Sequence, residues 1–502
     1  MKASKIMYNI LPRQNSFSIE TGRLLLTPLT AGELRLWLDE PDRLGSELGC
    51  KISEPPEGEF RDIVVSQQKI TESAPGNFLW HTFWLMIRKS DRVSVGSFDF
   101  KAPPENGRVE LGYGLDSGFE HNGYMTETVD AACRFAFSKP GISEVIAETE
   151  LWNLPSQRVL ARCGFSEVSR GDTVWWAKPL ILETERLILR PWRSSDADEL
   201  YRYASDPETG PLCGWRPHTS VEDSRLVIEK VLSEPDTFAV VLKETGKPVG
   251  SVGVMQSCAD GALLSEREVG YWLGKPYRGR GLIPEAVEAL LYRCFEVYGC
   301  PAVWCGYFDG NSRSLRVQEK CGFKPHHTEY DVPRAQLGDT AVIHYTRLGK
   351  SEWRQLRFFR EFLRSTGRDS DTPIYENFYF GNDERSASEL LALVLDGKKT
   401  ATSSSLYAYE SDGSEPPKPG DLSIVTDFSG EPRCVIETTA VTVVPFDKMT
   451  FELCQREGED GTLEGWREGH IRFFTADAKL CGYSFDGNMP VVFEDFRVVY
   501  RR

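Results

Sequence analysis

The sequence predicts an α/β (α+β) chain of three domains, the first two being copies of one another, and three observations carry that prediction. First, the chain begins again part-way along: "ETGRLLLTPL" at Glu20 to Leu29 returns as "ETERLILRPW" at Glu183 to Trp192. "VELGYGLDSGFEHNGYMTETV" from Val109 then aligns with "REVGYWLGKPYRGRGLIPEAV" from Arg267, and "NLPSQRVLARCGF" from Asn153 with "NSRSLRVQEKCGF" from Asn311, both at an offset of 158 residues. Blocks this long in one order mark a duplicated domain and not a solenoid unit. Second, strand-like and helix-like patterns interleave within each copy. Third, nothing beyond Leu348 repeats either copy, and that remainder reads as short alternating strands between turns. The repeat sets the boundaries at 16–178, 179–348 and 350–502.

In the second copy "RLILRPW" alternates as a strand, and "SSDADELYRYASD" opens on a capping Ser or Asp before helical spacing sets in. "KPVGSVGVM" is a short strand after a turn, and "EREVGYWL" is another. "IPEAVEALLYRCFEVYG" reads as a helix: Pro284 suits its first turn, apolar residues recur at three and four, and Gly299 lies past its end. Beyond the second copy, "SEWRQLRFFREFL" leads into "RSTGRDSDTP", whose polar and turn residues read as a connection. Alternation in "CVIETTAVTVV" and the turn "PKPGD" fit a barrel of short strands.

Composition agrees with this division. At 502 residues, with 40% hydrophobic and 27% charged content, the chain is long enough for about three domains that each bury a core. Twelve cysteines are scattered without a C-x-x-C pair, and Cys163 and Cys321 sit among core-like residues, which reads as buried reduced thiols. "MKASKIMYNILPRQN" is positively charged but has no apolar stretch, and no run approaches the roughly 18 to 20 apolar residues of a membrane span. The expectation is a cytoplasmic protein without membrane attachment. A net charge of -16 argues against bulk binding to nucleic acid or to anionic membranes, while leaving room for a local basic pocket.

Such a pocket is visible in "RGRG", which stands between the strand "EREVGYWL" and the helix that follows. Helix starts leave backbone N–H groups unpaired and carry partial positive charge, so glycines that admit a ligand to the backbone make an anion cradle. "YRGRGLIPEA" after "EVGYWL", with N-x-x-S-x-x-V-x-x-K-C-G-F some thirty residues later, resembles the GCN5-related N-acetyltransferase (GNAT) family, and within it the ribosomal-protein alanine acetyltransferase branch. The resemblance covers both copies. It implies two tandem acyl-CoA acyltransferase folds in which two parallel strands splay apart, with acetyl-CoA between them and its diphosphate on the loop. The family's loop carries Gln or Arg, then Gly three residues on and a small residue two further, which falls on Arg278, Gly281 and Ile283. Gly279, Arg280 and Leu282 complete the cradle. Ile283 departs from the small residue, at a position where the backbone N–H does the binding.

The same resemblance implies direct attack of an amine on the thioester, with a base for the ammonium proton and a hydrogen bond to the departing thiolate. Glu268 stands where family members carry the base, and Glu110 is its match in the first copy. Asn311 and Ser314 match the Asn and Ser that open the helix contacting the cofactor; both also suit helix capping, and the two roles are compatible. Tyr307 is a candidate acid for the thiolate, and also a candidate core residue. In the first copy Glu120 replaces Arg278 and His121 replaces Gly279, which puts an acidic side chain beside the expected diphosphate. Gly123, Tyr124, Met125, Asn153 and Ser156 keep the cofactor positions there. Two readings follow: an active first copy with Glu120 turned away, or a partner that shapes the second site.

The third domain resembles the ASCH domain, a small PUA-like β-barrel, through "LVLDGKKTATSS", "PKPGDLSIV", "PRCVIETTAVTVVPFDKM" and "EGEDGTLEGWREGHIRFF" in order. Residues 350–502 hold 19 Lys and Arg against 27 Asp and Glu, which disfavours broad nucleic-acid affinity and leaves a small pocket for RNA or a nucleoside. Relatives that hydrolyse an acetylated cytidine use a Lys-x-x-Thr pair and a later Glu, which fall on Lys399, Thr402 and Glu459. Those relatives carry an arginine two residues past the threonine, where this chain has Ser404. The leading expectation is an enzyme moving acetyl from acetyl-CoA to a primary amine of a protein N-terminus or a small molecule. The alternatives are an acyl-CoA sensor that binds RNA or a nucleoside, and an ASCH amidohydrolase. No metal site is expected.

Overall fold

The computed structural model describes residues 17–501, so the N-terminal segment assessed above for a secretion signal lies outside them. The chain divides into two compact units between Arg347 and Leu348. In the first copy, β1 (Ile19–Glu20), β2 (Leu24–Pro28), β3 (Phe83–Arg88), β4 (Val93–Phe100), β5 (Arg108–Leu115), β6 (Glu144–Glu150), β7 (Ser166–Arg170) and β8 (Thr173–Pro179) lie in the order β1-β2-β3-β4-β5-β6-β8-β7. Helices α1 (Ala31–Asp39), α2 (Pro41–Leu48) and α3 (Gly58–Ser73) connect β2 to β3. Helix α4 (Tyr124–Phe137) connects β5 to β6, and α5 (Leu154–Arg162) connects β6 to β7.

The second copy repeats this plan. Its strands β9 (Leu182–Glu183), β10 (Leu187–Arg190), β11 (Thr237–Leu242), β12 (Pro248–Gln256), β13 (Arg267–Leu273), β14 (Ala302–Phe308), β15 (Lys324–Arg334) and β16 (Asp339–Gly349) lie in the order β9-β10-β11-β12-β13-β14-β16-β15. Helices α6 (Ala197–Ala204) and α7 (Val221–Val227) precede β11, α8 (Leu282–Tyr292) follows β13, and α9 (Ser312–Cys321) follows β14.

Period-two burial explains why these strands are apolar throughout. Leu24 and Leu26 on β2 and Trp84 and Met86 on β3 join the core shared with α4, while Leu25, Phe83, Leu85 and Ile87 face the core shared with α1 and α3. Helix α8 buries Leu282, Ile283, Ala286, Val287, Leu290 and Leu291 at helical spacing, continues through a π-turn at Arg293–Val297, and stops before Gly299 at φ 72. The cysteines among the described residues are free thiols, Cys163 and Cys321 being buried.

Each sheet opens at its centre. Strands β13 and β14 are parallel and pair only at Arg267 with Val303 and Glu268 with Trp304. In the first copy β5 and β6 pair at Arg108, Val109 and Glu110 and then part. The two copies are tied at the far ends of their loop helices. Arg293, 4% exposed, donates to the Phe137 carbonyl at 2.7 Å and contacts Asp236 at 3.2 Å. Asp236 in turn accepts from Gly141 N at 3.1 Å and from the Tyr298 hydroxyl at 2.5 Å.

The second unit opens with α10 (Lys350–Thr366) and contains β17 (Glu376–Phe378), α11 (Glu384–Leu395), β18 (Ala401–Ser405), α12 (Leu406–Asp412), β19 (Leu422–Thr426), β20 (Pro432–Pro445), α13 (Phe451–Cys454), α14 (Leu463–Cys481) and β21 (Pro490–Arg501). The expected barrel is realised as a curled half-barrel of order β17-β19-β20-β21-β18. Strands β20 and β21 are longer than the sequence suggested, at 14 and 12 residues. Register shifts at Val435/Ile436 and Thr438/Ala440 provide the local irregularities at which such long strands bend. Among the described residues no helix is long and apolar enough to cross a membrane.

Candidate functional site

The loop between β13 and α8 is built by backbone conformation first. Gly279 and Gly281 sit at φ 78 and φ 73, in the left-handed region that side chains resist. Two residues upstream of β10 hold the loop in place. Thr184 donates to the Glu285 carboxylate at 2.5 Å, and Arg186 donates to it at 2.6 Å and to the Arg280 carbonyl at 2.9 Å. Burial alone would raise Glu285, but the hydrogen bonds from Thr184 and Arg186 outweigh it and hold the carboxyl below its ordinary range. The first copy has the same clamp: Thr21 and Arg23 hold Glu127, and Arg23 donates to the Asn122 carbonyl at 2.8 Å. The repeated "ET-x-R" block is therefore the loop's anchor, a role the sequence reading did not give it.

The clamped loop and the splayed strands enclose a cavity of about 620 Å³ in the second copy. Glu268, Gly270, Tyr271, Arg278, Gly279, Gly281, Leu282, Ile283, Tyr307, Asn311 and Ser314 all line it. Arg280, expected in the cradle, is exposed, and its guanidinium lies 5.8 Å from the Tyr277 ring. Arg278 is half-buried. It donates to the Leu273 carbonyl at 3.1 Å and to the Thr209 hydroxyl at 2.9 Å, while its Nη1 is buried without a partner among the described residues. An unpaired buried guanidinium nitrogen on a cavity wall suits an anionic ligand.

Glu268 accepts from the Ser257 hydroxyl at 3.1 Å and from Cys258 N at 3.4 Å. Burial raises its carboxyl above the ordinary range, and these bonds only partly offset it. Asn311 caps α9, its Oδ1 accepting from Ser314 N at 3.2 Å, and its amide donates to the Leu212 carbonyl at 3.3 Å. The Ser314 hydroxyl lies 3.0 Å from the Tyr271 hydroxyl, and Tyr113 holds Ser156 the same way at 2.8 Å. Tyr271 and Tyr113 were not singled out from sequence, although they occupy one aligned position in the repeat. Tyr307 packs its ring 5.0 Å from His344, and burial raises its hydroxyl.

The first copy keeps the frame and changes the centre. His121 takes the left-handed conformation of Gly279 at φ 61, and Gly123 that of Gly281 at φ 75. Tyr124 and Met125 are buried at the start of α4, and Asn153 caps α5 through Ser156 N at 3.2 Å. Glu120 is 69% exposed and lies 4.0 Å from the His121 ring. Glu110 is ion-paired with Lys101 at 2.5 Å. The position matching Tyr307 is Thr149, which accepts from the Trp176 indole at 3.1 Å.

In the second unit, Lys399 is 1% exposed and meets Glu459 at 2.5 Å and Glu457 at 3.3 Å. Glu457 also accepts from Ser403 at 2.7 Å and from the Trp466 indole at 2.8 Å, and His470 lies 3.6 Å away. Burial would raise Glu457, but the Lys399 charge and the His470 and Ser403 contacts prevail and bring it down to about 2. Lys399 and Glu459 thus come together as the pattern suggested, with Glu457 added. Thr402 alternates with Ser403 along β18 and stands cross-strand from Glu494, on the face opposite the Ser403–Glu457 contact.

Comparison with known proteins agrees with this architecture. The Acetyltransferase (GNAT) domain matches residues 23–166 and 186–324, and the ASCH domain matches 376–500. The chain belongs to the GNAT acetyltransferase family, in tandem form, with an ASCH domain C-terminal to the pair. It is 29% identical over 160 residues to the uncharacterized N-acetyltransferase p20 of Bacillus licheniformis, covering 31% of this chain and 88% of that protein. It is 27% identical over 149 residues to the uncharacterized N-acetyltransferase YjdG of Bacillus subtilis, covering 29% and 88%. A solved ASCH domain from Lactobacillus crispatus is 33% identical, covers 30% of this chain and 95% of its own, and gives a TM-score of 0.28.

Proposed function

We propose that the second domain transfers acetyl from acetyl-CoA to a primary amine of a protein N-terminus or a small molecule. The observation that carries this is one cavity bringing together a raised carboxyl at Glu268, the clamped glycine loop, and the unpaired Nη1 of Arg278. The loop N–H groups and Arg278 hold the diphosphate, supplying fixed donors to a negative group. Glu268 takes the proton from the ammonium, for which a carboxyl raised by burial is suited. Tyr307 or the Tyr271–Ser314 pair donates toward the sulfur, and acetyl-CoA itself supplies an activated acyl group. The test is an acceptor screen on the whole chain with free CoA measured chromatographically; no CoA release with any amine would sink the reading.

For the ASCH domain we favour a binding role toward RNA or a nucleoside over hydrolysis. Lys399 is buried between two carboxylates and Thr402 stands on the other strand face, so the lysine supports the fold in place of activating the threonine. Lys399→Met should leave the buried Glu457 carboxylate with Ser403, Trp466 and His470 but without its lysine charge, and destabilise this unit by up to about 3–5 kcal/mol. Since Glu457 is held low, the contribution of this pair is present above the ordinary carboxylate range and lost as pH falls toward about 2. Thermal melting between pH 7 and 3 measures it. Release of acetate from N4-acetylcytidine by the intact chain would overturn the binding role.

A further inference from the structure

Strand register allows the two copies to be compared residue by residue around the base. In the second copy Met255 stands opposite Glu268, and Gly253 opposite Gly270. In the first copy the same positions are Lys101, whose N–H bonds the Glu110 carbonyl, and Asp99, which pairs with Gly112. By the two-residue period, Asp99, Lys101, Glu110 and Gly112 share one face. It is the face on which Glu268 and Gly270 line the cavity of the second copy. The first copy thus has Asp and Lys where the second has Gly and Met at the centre of the site.

The consequence is a transfer of chemistry from one carboxylate to another. Lys101 ion-pairs with Glu110 at 2.5 Å, so the Glu110 carboxylate already has a cationic partner within the chain. Asp99 leans into the space above Gly112: a Cβ built there would lie 2.6 Å from its Oδ1, so Gly112 must stay a glycine for the carboxyl to fit. Asp99 is 6% exposed and hydrogen-bonds the Gln67 side chain from α3. Gln67 is itself 8% exposed, and its Oε1 is buried without a partner among the described residues. A carboxylate and an orphan amide oxygen are both acceptors, which is what an ammonium with several N–H groups requires.

We propose that the first domain is a second acetyl-transfer site in which Asp99, and not Glu110, takes the proton of a primary amine that docks against the Asp99 carboxylate and the unpartnered Oε1 of Gln67. This rests on the acetyltransferase reading above. Asp99 accepts one proton from R–NH3+; the nitrogen lone pair forms the N–C bond to the acetyl carbon while the C–S bond breaks, its electron pair leaving on sulfur. The second amine proton passes to the thiolate, and Asp99 returns its proton to water, giving R–NH–CO–CH3, CoA–SH and H+. Burial raises the Asp99 carboxyl to about 6, the Lys101 charge opposing and Glu110 adding to the rise. The groups facing it are Lys101 just past the end of its own strand, Glu110 on β5 and Gln67 on α3.

The test uses the full chain carrying Gly281→Asp to silence the second domain, acetyl-CoA, and as probes alanyl dipeptides and spermidine. Residual CoA release is expected. Adding Asp99→Asn should lower kcat at least about a hundredfold with the acetyl-CoA KM within about twofold, whereas adding Glu110→Gln should cost less than about threefold. The acid limb of kcat/KM near pH 6 should persist in Glu110→Gln. Gln67→Ala should raise the amine KM at least about tenfold with little change in kcat. Independently of turnover, a carboxyl carbon-13 resonance absent from the Asp99→Asn spectrum should titrate near pH 6 and shift on addition of the active amine. Loss of turnover in Glu110→Gln but not in Asp99→Asn overturns the assignment. So does an inactive Gly281→Asp chain when the unaltered chain releases CoA. Failure of the unaltered chain with every amine sinks both this assignment and the acetyltransferase reading.

Discussion

The two acetyltransferase copies agree in backbone and disagree in side chains, and the line between agreement and disagreement is sharp. Both place a glycine at the mouth of the loop helix, clamp that loop with Thr and Arg, cap the following helix with Asn, and hold its Ser with a Tyr. They part at matched positions that include Glu120 for Arg278, Lys101 for Met255, Asp99 for Gly253 and Thr149 for Tyr307. Those four surround the place where charge is handled. Contacts that shape the loop are thus shared by both copies, whereas the side chains proposed to handle the proton and the phosphates differ between them.

The largest effect should come from the shared devices. Gly281→Asp forces a side chain into a left-handed conformation 3.6 Å from the Arg186 guanidinium and sets a carboxylate in the cradle. Two lost charge-assisted bonds at about 1.5 kcal/mol each correspond to about a hundredfold in affinity. Calorimetry on the full chain should therefore lose one of two acetyl-CoA equivalents, and Gly123→Asp should remove the other. If Gly123→Asp leaves the titration unchanged, the first copy binds no cofactor and the equivalence of the two loops is broken.

Next in size is the base of the second copy. Glu268→Gln should lower kcat about a hundredfold with acetyl-CoA affinity retained. Because burial holds Glu268 above the ordinary carboxylate range, activity of the second site should fall as pH drops through that raised value, and Glu268→Gln should abolish this limb. Equal loss of binding and turnover would mark Glu268 as structural. A smaller contrast separates the cofactor affinities: the second site should bind acetyl-CoA about tenfold more tightly, one charge-assisted bond being worth about 1.5 kcal/mol. Since Glu120 is largely exposed, Glu120→Arg should narrow the gap by no more than about threefold, and salt should weaken the second site more than the first. Equal affinities at low salt would remove Arg278 from the argument. The smallest effect is conformational. His121→Gly should stabilise the first copy by about 1 kcal/mol, as it relieves a left-handed non-glycine, and differential melting against Gly279→Ala, expected to shift the other way, measures it.

Much of this was legible because the sequence contains its own comparison. The repeat exposed the duplication, and the glycines of "RGRG" before a helix, with the family resemblance, exposed the cradle and the Asn and Ser of the following helix. What it could not expose were contacts across long sequence separation. The clamp joins Arg186 to Glu285, and nothing in either block alone says that they meet. Asp99 in "GSFDF" belongs to no motif and to no repeated block, and its place beside Gly112 follows only from strand register. Glu459 came from the position of the relatives' glutamate, and only packing adds Glu457, which is buried beside Lys399 while Glu459 stays partly exposed. Thr402 was chosen by motif spacing, which does not report the face of a strand.

The tie between Arg293, Asp236 and the Phe137 carbonyl has a consequence for how this pair can vary over time. Each copy carries a complete sheet and a complete loop, so each looks dispensable when taken alone. Yet the second copy keeps a buried charged pair that, besides Tyr298 of its own, takes two partners from the first, the Phe137 carbonyl and the Gly141 N–H. A chain severed between the copies would open that pair to water and leave both helix ends without their neighbours. The repeated sequence block and the folded unit are thus different sizes: the first is one copy, the second is the pair that shares this tie.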